Sequence, residues 1–117
     1  MLTLYGIKNC DSVKKARTWL EQQAIPYQFH DFRSDGLTAG QLQDFIARSN
    51  WEALLNRRST TWKQLSETER NSVNTDTIVS LLLTQPTLIK RPLLDNGKEL
   101  LIGFAPQAYQ QVLQQLG

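Results

Sequence analysis

The first 31 residues constrain this chain most. Leu2–Thr3–Leu4–Tyr5 is a short apolar run that predicts a buried strand. A polar turn through Gly6–Ile7–Lys8–Asn9–Cys10 follows it. From about Ser12 to Ala24, Val13, Ala16, Leu20 and Ala24 recur on one helical face. Asp11 or Ser12 is the expected N-cap, and Ile25–Pro26 ends the helix. Tyr27–Asp31 then alternates, with Tyr27 and Phe29 on one side and Gln28 and His30 on the other. A strand, a crossover helix and a second strand make a β–α–β unit. Its right-handed crossover requires the two strands to be parallel.

The middle of the chain carries helical signals and no strand signal. Ser34–Asp35–Gly36 is a turn. Thr38 caps a helix with Gln41 at the capping-box position, and Leu42, Phe45 and Ile46 form its apolar stripe. Trp51–Leu55 is a short helical piece, and a basic loop, Asn56–Arg57–Arg58–Ser59–Thr60–Thr61, comes next. Trp62 and Leu65 open another stripe, and Ser66–Glu67–Thr68–Glu69 is a second capping box. Ile78, Leu81 and Leu82 predict a helix from about Thr75 to Thr84, which Gln85–Pro86 stops.

The last third changes period. Leu88–Ile89 and Leu93–Leu94 are β-like and flank Arg91–Pro92. Asp95–Asn96–Gly97 predicts a hairpin turn, with glycine supplying a positive φ, and Glu99–Ile102 is the returning strand. Pro106 lies near the first turn of a final helix whose buried face holds Tyr109, Val112, Leu113 and Leu116. The expected architecture is α/β, with a four-stranded mixed sheet (β–α–β, then β–β–α). A single domain over residues 1–117 carries a helical insertion at about 38–85, packed on the sheet.

Composition narrows the function. No apolar run approaches the roughly 20 residues that a membrane helix needs, and no membrane association is expected. The N-terminus has neither a basic region nor a long apolar one, so no signal peptide is expected. The single cysteine cannot form an internal disulfide, which fits a reducing, cytoplasmic setting. A formal net charge of +2 is too small to argue nucleic-acid binding. One cysteine and one histidine cannot complete a tetrahedral metal site. No Walker or dinucleotide glycine motif is present, and the three tryptophans sit at helical spacings that suit a core.

Chemistry concentrates on Cys10. It lies in a turn at a helix N-terminus, where backbone N–H groups and the helix dipole favour an anion and activate a thiol. The competing reading is a small buried hydrophobe, but Lys8, Asn9, Asp11 and Ser12 around it are all polar. Asp11 opposes a thiolate unless its side chain turns away to cap the helix. Val13 occupies the position where a Cys-x-x-Cys motif carries its second cysteine, so no dithiol cycle within one motif is available. An oxidised Cys10 needs an outside thiol, of which glutathione is the obvious small one. Arg91–Pro92 reads either as a surface arginine before a strand-edge proline or as a cis turn presenting a guanidinium to an anion. Arg57 and Arg58 read either as solvated charge or as a further anion contact, and Lys14, Lys15 and Arg17 follow the cysteine. His30, on the polar side of a strand, reads as structural or exposed.

Taken together, Tyr5–Gly6–Ile7–Lys8–Asn9–Cys10–Asp11–Ser12–Val13–Lys14–Lys15–Ala16, Asn56–Arg57–Arg58–Ser59, Ile89–Lys90–Arg91–Pro92–Leu93 and Ile102–Gly103–Phe104 resemble the arsenate reductase-like (ArsC/Spx) family. That family includes glutaredoxin-coupled arsenate reductases, Spx regulators and small YffB-like proteins, and the resemblance is nearest to the last group over nearly the whole length. It implies a thioredoxin-like fold, Cys10 as the active-site cysteine flanked by Asn9 and Ser12, Arg91 as an anion-binding arginine and Pro92 as a cis proline. It matches Arg58 to the family's other arginine, with Arg57 as the fallback. Arsenate reductases carry a further arginine at the place matching about Gly103, and a Cys-Gly-x-Ser start that is Cys10–Asp11–Ser12–Val13 here. Spx regulators usually carry the Cys-x-x-Cys that Val13 breaks.

The resulting expectation is a cytoplasmic monothiol oxidoreductase with no bound cofactor. Glutathione, or glutaredoxin or thioredoxin, serves as its reductant. The alternatives are an Spx-like protein-binding regulator without catalysis and a genuine glutathione- and glutaredoxin-coupled arsenate reductase.

Overall fold

The protein's structure is a computed structural model that describes residues 2–116. Its elements run β1 (Thr3–Gly6), α1 (Asp11–Gln22), β2 (Gln28–Asp31), α2 (Ala39–Arg48), α3 (Trp51–Leu54), α4 (Thr60–Gln64), α5 (Glu67–Asn71), α6 (Ile78–Thr84), a 3₁₀ turn (Pro86–Leu88), β3 (Leu93–Asp95), β4 (Leu100–Ile102) and α7 (Pro106–Leu116). The strands form one sheet in the order β2-β1-β3-β4. β1 and β2 are parallel with Leu4 opposite Phe29, as the crossover through α1 requires. β3 is antiparallel to both β1 and β4, with Leu94 opposite Leu4 and Leu101. This is the mixed sheet of a thioredoxin-like α/β fold.

The chain divides into two compact units, one built from the residues up to Asp35 and from Arg91 onward, the other from Gly36–Lys90. In the first, Leu2 and Leu4 of the sheet pack with Ala16 and Leu20 of α1, Leu94 of β3 and Tyr109 of α7. Trp19, Phe29, Phe104 and Leu113 surround that cluster. The side chain of Leu116 lies outside the described residues. In the second unit, α2 packs on α6, and Leu42, Phe45, Leu54, Ile78, Leu82, Leu88 and Ile89 are buried. Both capping boxes form there: Thr38 with Gln41, and Ser66 with Glu69.

β1 and α1 meet closely at Gly6. A Cβ there would lie 2.6 Å from Cγ2 of Val13, a fully buried β-branched side chain that cannot swing away. Gly6→Ala is expected to lower stability by about 1–3 kcal/mol through overpacking. A urea midpoint unchanged from wild type would show that α1 can shift instead.

The structure differs from the sequence expectations in four places. Cys10, not Asp11 or Ser12, is the N-cap of α1. Ala24 is exposed with φ 55°, not on the buried face. It stands just past the end of α1, where Ala24 N–H donates to Glu21 and Ile25 N–H to Leu20, so the helix closes before Pro26 is reached. Leu88–Ile89 is not a strand: Leu88 ends the 3₁₀ turn and Ile89 makes one isolated bridge with Leu55. Its β-like composition reports burial, not pairing. α6 begins at Ile78, three residues later than predicted, because Asn74 and Thr77 hold the preceding turn by side-chain hydrogen bonds that compete with the helix.

Candidate functional site

The turn between β1 and α1 is fixed by backbone and carboxylate. Cys10 N–H donates to the Ile7 carbonyl at 3.2 Å, and the Cys10 carbonyl accepts from Lys14 at 3.0 Å, opening α1. Cys10 has extended dihedrals (φ −92°, ψ 127°), and its side chain makes no capping hydrogen bond. The N–H groups of Asp11, Ser12 and Val13 have no acceptor among the described residues. Cys10 as a residue is half-buried, neither sealed in the core nor fully exposed. A half-buried cysteine thus stands at the positive end of a twelve-residue helix whose first donors lack acceptors among the described residues. Asn9 and Ser12 are exposed on either side. Asp11 lies in the first turn but does not cap it.

The sequence reading missed Asp31, which anchors this turn. It is a buried carboxylate at the end of β2, 4% exposed. One oxygen accepts from the Lys8 N–H at 3.1 Å; the other accepts from Arg33 at 2.7 Å and Ser34 at 3.3 Å. Burial is the largest influence and raises its pKa. The three backbone donors and the Lys8 charge outweigh it, so the carboxyl ends below its ordinary value of 3.8. The bonds from Arg33 and Ser34 form a local Asx-type turn of the kind an Asp at a strand end can signal. The reach to Lys8 is invisible in sequence.

Asp31 also fixes a pH dependence. A carboxyl whose folded pKa is depressed contributes stability above its unfolded pKa and loses it as pH falls through the folded value. Stability should therefore fall below about pH 4. Asp31→Asn, which turns an amide donor toward one of these N–H groups, is expected to cost about 1–3 kcal/mol at pH 7. It should also flatten the acid limb of a melting-temperature profile between pH 5 and 2; a wild-type limb in the variant would remove Asp31 as its cause.

Arg91 and Pro92 lie at the same end of the sheet as Cys10. Tyr5 pairs with Leu93 in the antiparallel β1–β3 register, so the end of β1 that runs on to Cys10 adjoins the end of β3 that Pro92 precedes. The Arg91–Pro92 peptide is cis. Arg91 is half-buried, and its Nε and Nη1 are buried with no hydrogen-bond partner among the described residues. Buried guanidinium N–H groups ordinarily find acceptors, and leaving them unpaired is costly. Carboxylate or another oxyanion is the chemistry that fits them.

Arg57 and Arg58 belong to the other unit and are exposed. The Arg57 guanidinium stands 6.0 Å from the Trp51 ring and 5.9 Å from the Trp62 ring. Arg58 donates its backbone N–H to the Asn56 side chain at 3.1 Å, and its guanidinium makes no hydrogen bond or ion pair among the described residues. Arg17, a few residues after the cysteine, is committed to β2: it lies 4.3 Å over the Phe29 ring and donates to the Tyr27 hydroxyl at 3.2 Å. His30 stacks at a tilt against Tyr5, with ring centroids 5.1 Å apart. Among the described residues, no group of three His, Cys, Asp or Glu could hold a metal, and no helix is long and apolar enough to cross a membrane.

Comparison with known proteins places this geometry. The ArsC family model matches residues 5–112. The solved structure of a protein described as YFFB superposes with a TM-score of 0.91 at 41% identity, covering 97% of this chain and 99% of that one. An uncharacterized protein of Haemophilus influenzae is 46% identical over 110 residues, 94% of this chain and 96% of its own length. The global transcriptional regulator Spx of Listeria innocua is 28% identical over 106 residues, 89% of this chain and 80% of that protein.

Proposed function

The chain belongs to the ArsC family, and we propose that it is a glutathione-dependent monothiol oxidoreductase with Cys10 as its nucleophile. The observation that carries this reading is that the buried Nε and Nη1 of Arg91, at the Cys10 end of the sheet, have no hydrogen-bond partner among the described residues. An anion is the missing partner, and the carboxylates of a glutathionyl group supply one. The reading rests on the unit that holds both residues. Of the basic pair in the other unit, Arg58 has a guanidinium without a partner among the described residues, whereas Arg57 stands against two indole rings.

The chemistry is two thiol–disulfide exchanges. The Cys10 thiolate attacks the glutathionyl sulfur of a mixed disulfide R–S–S–G. The new Cys10–glutathione disulfide forms as the S–S bond between that sulfur and the sulfur of R breaks, and the R thiolate leaves and takes a proton. A second glutathione, as thiolate, attacks the glutathionyl sulfur on Cys10. Glutathione disulfide leaves and the Cys10 thiolate returns. One disulfide is reduced and one is made, so the two electrons come from glutathione. The unpaired N–H groups at the start of α1 lie where charge on the Cys10 sulfur is stabilised in both steps.

The test is mass spectrometry of the purified protein after mild oxidant with glutathione. A single glutathione adduct on Cys10 at modest excess, removed by further glutathione, supports the cycle. A folded protein that takes no adduct sinks it and favours a non-catalytic, protein-binding role. Robust arsenate-dependent turnover with glutathione and glutaredoxin would instead mean that an oxyanion centre, not a disulfide, is the substrate.

A further inference from the structure

We propose that Tyr109 is a positioning residue for Arg91, acting through the backbone of Gly103 and Pro92; the functional half of this inference rests on Arg91 holding an anion. Tyr109 is fully buried at 1% exposure, yet it carries a hydroxyl into the apolar core. That hydroxyl donates to the Gly103 carbonyl at 2.8 Å. The Gly103 N–H in turn donates to the Pro92 carbonyl at 2.8 Å. Both backbone groups of Gly103 are therefore used, one toward α7 and one toward the residue after Arg91. Gly103 sits at φ 87°, where a side chain is strained, so the residue at this relay is constrained to glycine.

Arg91 needs an outside restraint because its Nε and Nη1 have no partner of their own. Pro92 provides a stiff link, since its ring fixes its own φ and narrows the conformations of the residue before it. Holding the Pro92 carbonyl therefore holds the base of the Arg91 side chain. The Tyr109 ring completes the connection. It meets Phe104 edge-on at 5.2 Å and Trp19 of α1 at 6.0 Å, so one side chain bears both on the helix that Cys10 caps and on the β4–α7 loop whose Gly103 bonds the Pro92 carbonyl. Burial also keeps the hydroxyl protonated far above the ordinary tyrosine range, so it remains a donor wherever the protein is folded.

The test is Tyr109→Phe in the full chain, which removes the donor and keeps the ring. The first readout is ligand-free: the NMR signal of the Arg91 Nε–H and the hydrogen exchange of the Gly103 amide. The Arg91 signal is expected to move or broaden, and Gly103 exchange to quicken at least about tenfold. The second is sulfate titration, with a dissociation constant expected to weaken about tenfold in Tyr109→Phe and less than about twofold when the same change is made in an Arg91→Lys background. Leu2→Ala, in the same core but at the end of β1 away from Cys10, is the control for general loosening: it should lower the melting temperature without changing sulfate affinity. An unchanged Arg91 signal with unchanged Gly103 exchange overturns the positioning role whatever sulfate does. Wild-type and Tyr109→Phe proteins that bind sulfate equally overturn it too. A wild-type protein that ignores sulfate counts against the anion reading of Arg91, and the ligand-free signals then decide the relay alone.

Discussion

Cys10→Ser is expected to be inactive and more stable than wild type. Serine at this position cannot form the mixed disulfide, so turnover of a glutathionylated substrate should fall by on the order of 10³-fold or more. Stability should move the other way. Cys10 is the N-cap of α1 without a side-chain capping bond, and the N–H groups of Ser12 and Val13 lack acceptors among the described residues. A serine hydroxyl is among the preferred groups for those donors and is expected to add about 1 kcal/mol. That is a rise of roughly 3–5 °C in Tm for a domain of this size. The pairing of outcomes is the useful part. A thiol kept for chemistry at a poor capping position predicts both, whereas a thiol kept for packing predicts a destabilised serine variant. Residual turnover within about tenfold of wild type would remove Cys10 as nucleophile and leave a binding protein.

Local rules carried much of the fold. Thr38 with Gln41 and Ser66 with Glu69 form capping boxes because each is complete within four residues. Gly97 turns the β3–β4 hairpin at φ 93° for the same reason. The failures fall where tertiary contacts decide. Leu88 and Ile89 are fully buried, and burial selects the same residue types as a strand does. The helix start was misplaced by a residue because cysteine is not a capping type and the rules pass over it. The site divides the same way. Cys10, Arg91 and Pro92 stand out by type and neighbourhood. Asp31 does not, because the loop residue it holds, Lys8, is 23 positions away. Tyr109 reads as one more apolar residue of a helix until its hydroxyl is seen on Gly103.

Asp31, Gly103 and Tyr109 share one property: each spends a polar group on backbone, not on another side chain. Asp31 holds the Lys8 turn, and Tyr109 holds the Gly103 loop. The two loops that carry Cys10 and Arg91 are thereby restrained from opposite edges of the sheet, β2 on one side and β4 on the other. Such restraint lowers the entropy lost when a ligand is bound between fixed groups, and among the described residues it leaves the Cys10 side chain without a capping bond and the buried Nε and Nη1 of Arg91 without partners.

Arg91→Ala should therefore separate binding from stability even more sharply. An arginine whose buried N–H groups lack acceptors is a desolvation cost in the free protein, so removing it should leave Tm unchanged or raise it. Anion affinity should fall by about 100-fold, the loss expected for one or two charge-assisted hydrogen bonds. Arg91→Lys keeps the charge without the planar fork and should recover only part of that loss. The measurement is a thermal melt with and without sulfate. Sulfate should raise the Tm of wild type by mass action and leave Arg91→Ala unmoved. If turnover is followed as well, the variant's KM for a glutathionylated substrate should rise more than its kcat falls, because Arg91 contacts the anionic end and not the reacting sulfur. An Arg91→Ala protein that melts lower yet answers sulfate as wild type does would make the residue a packing element, its aliphatic stem filling space beside Pro92. The anion site would then have to be sought among other donors.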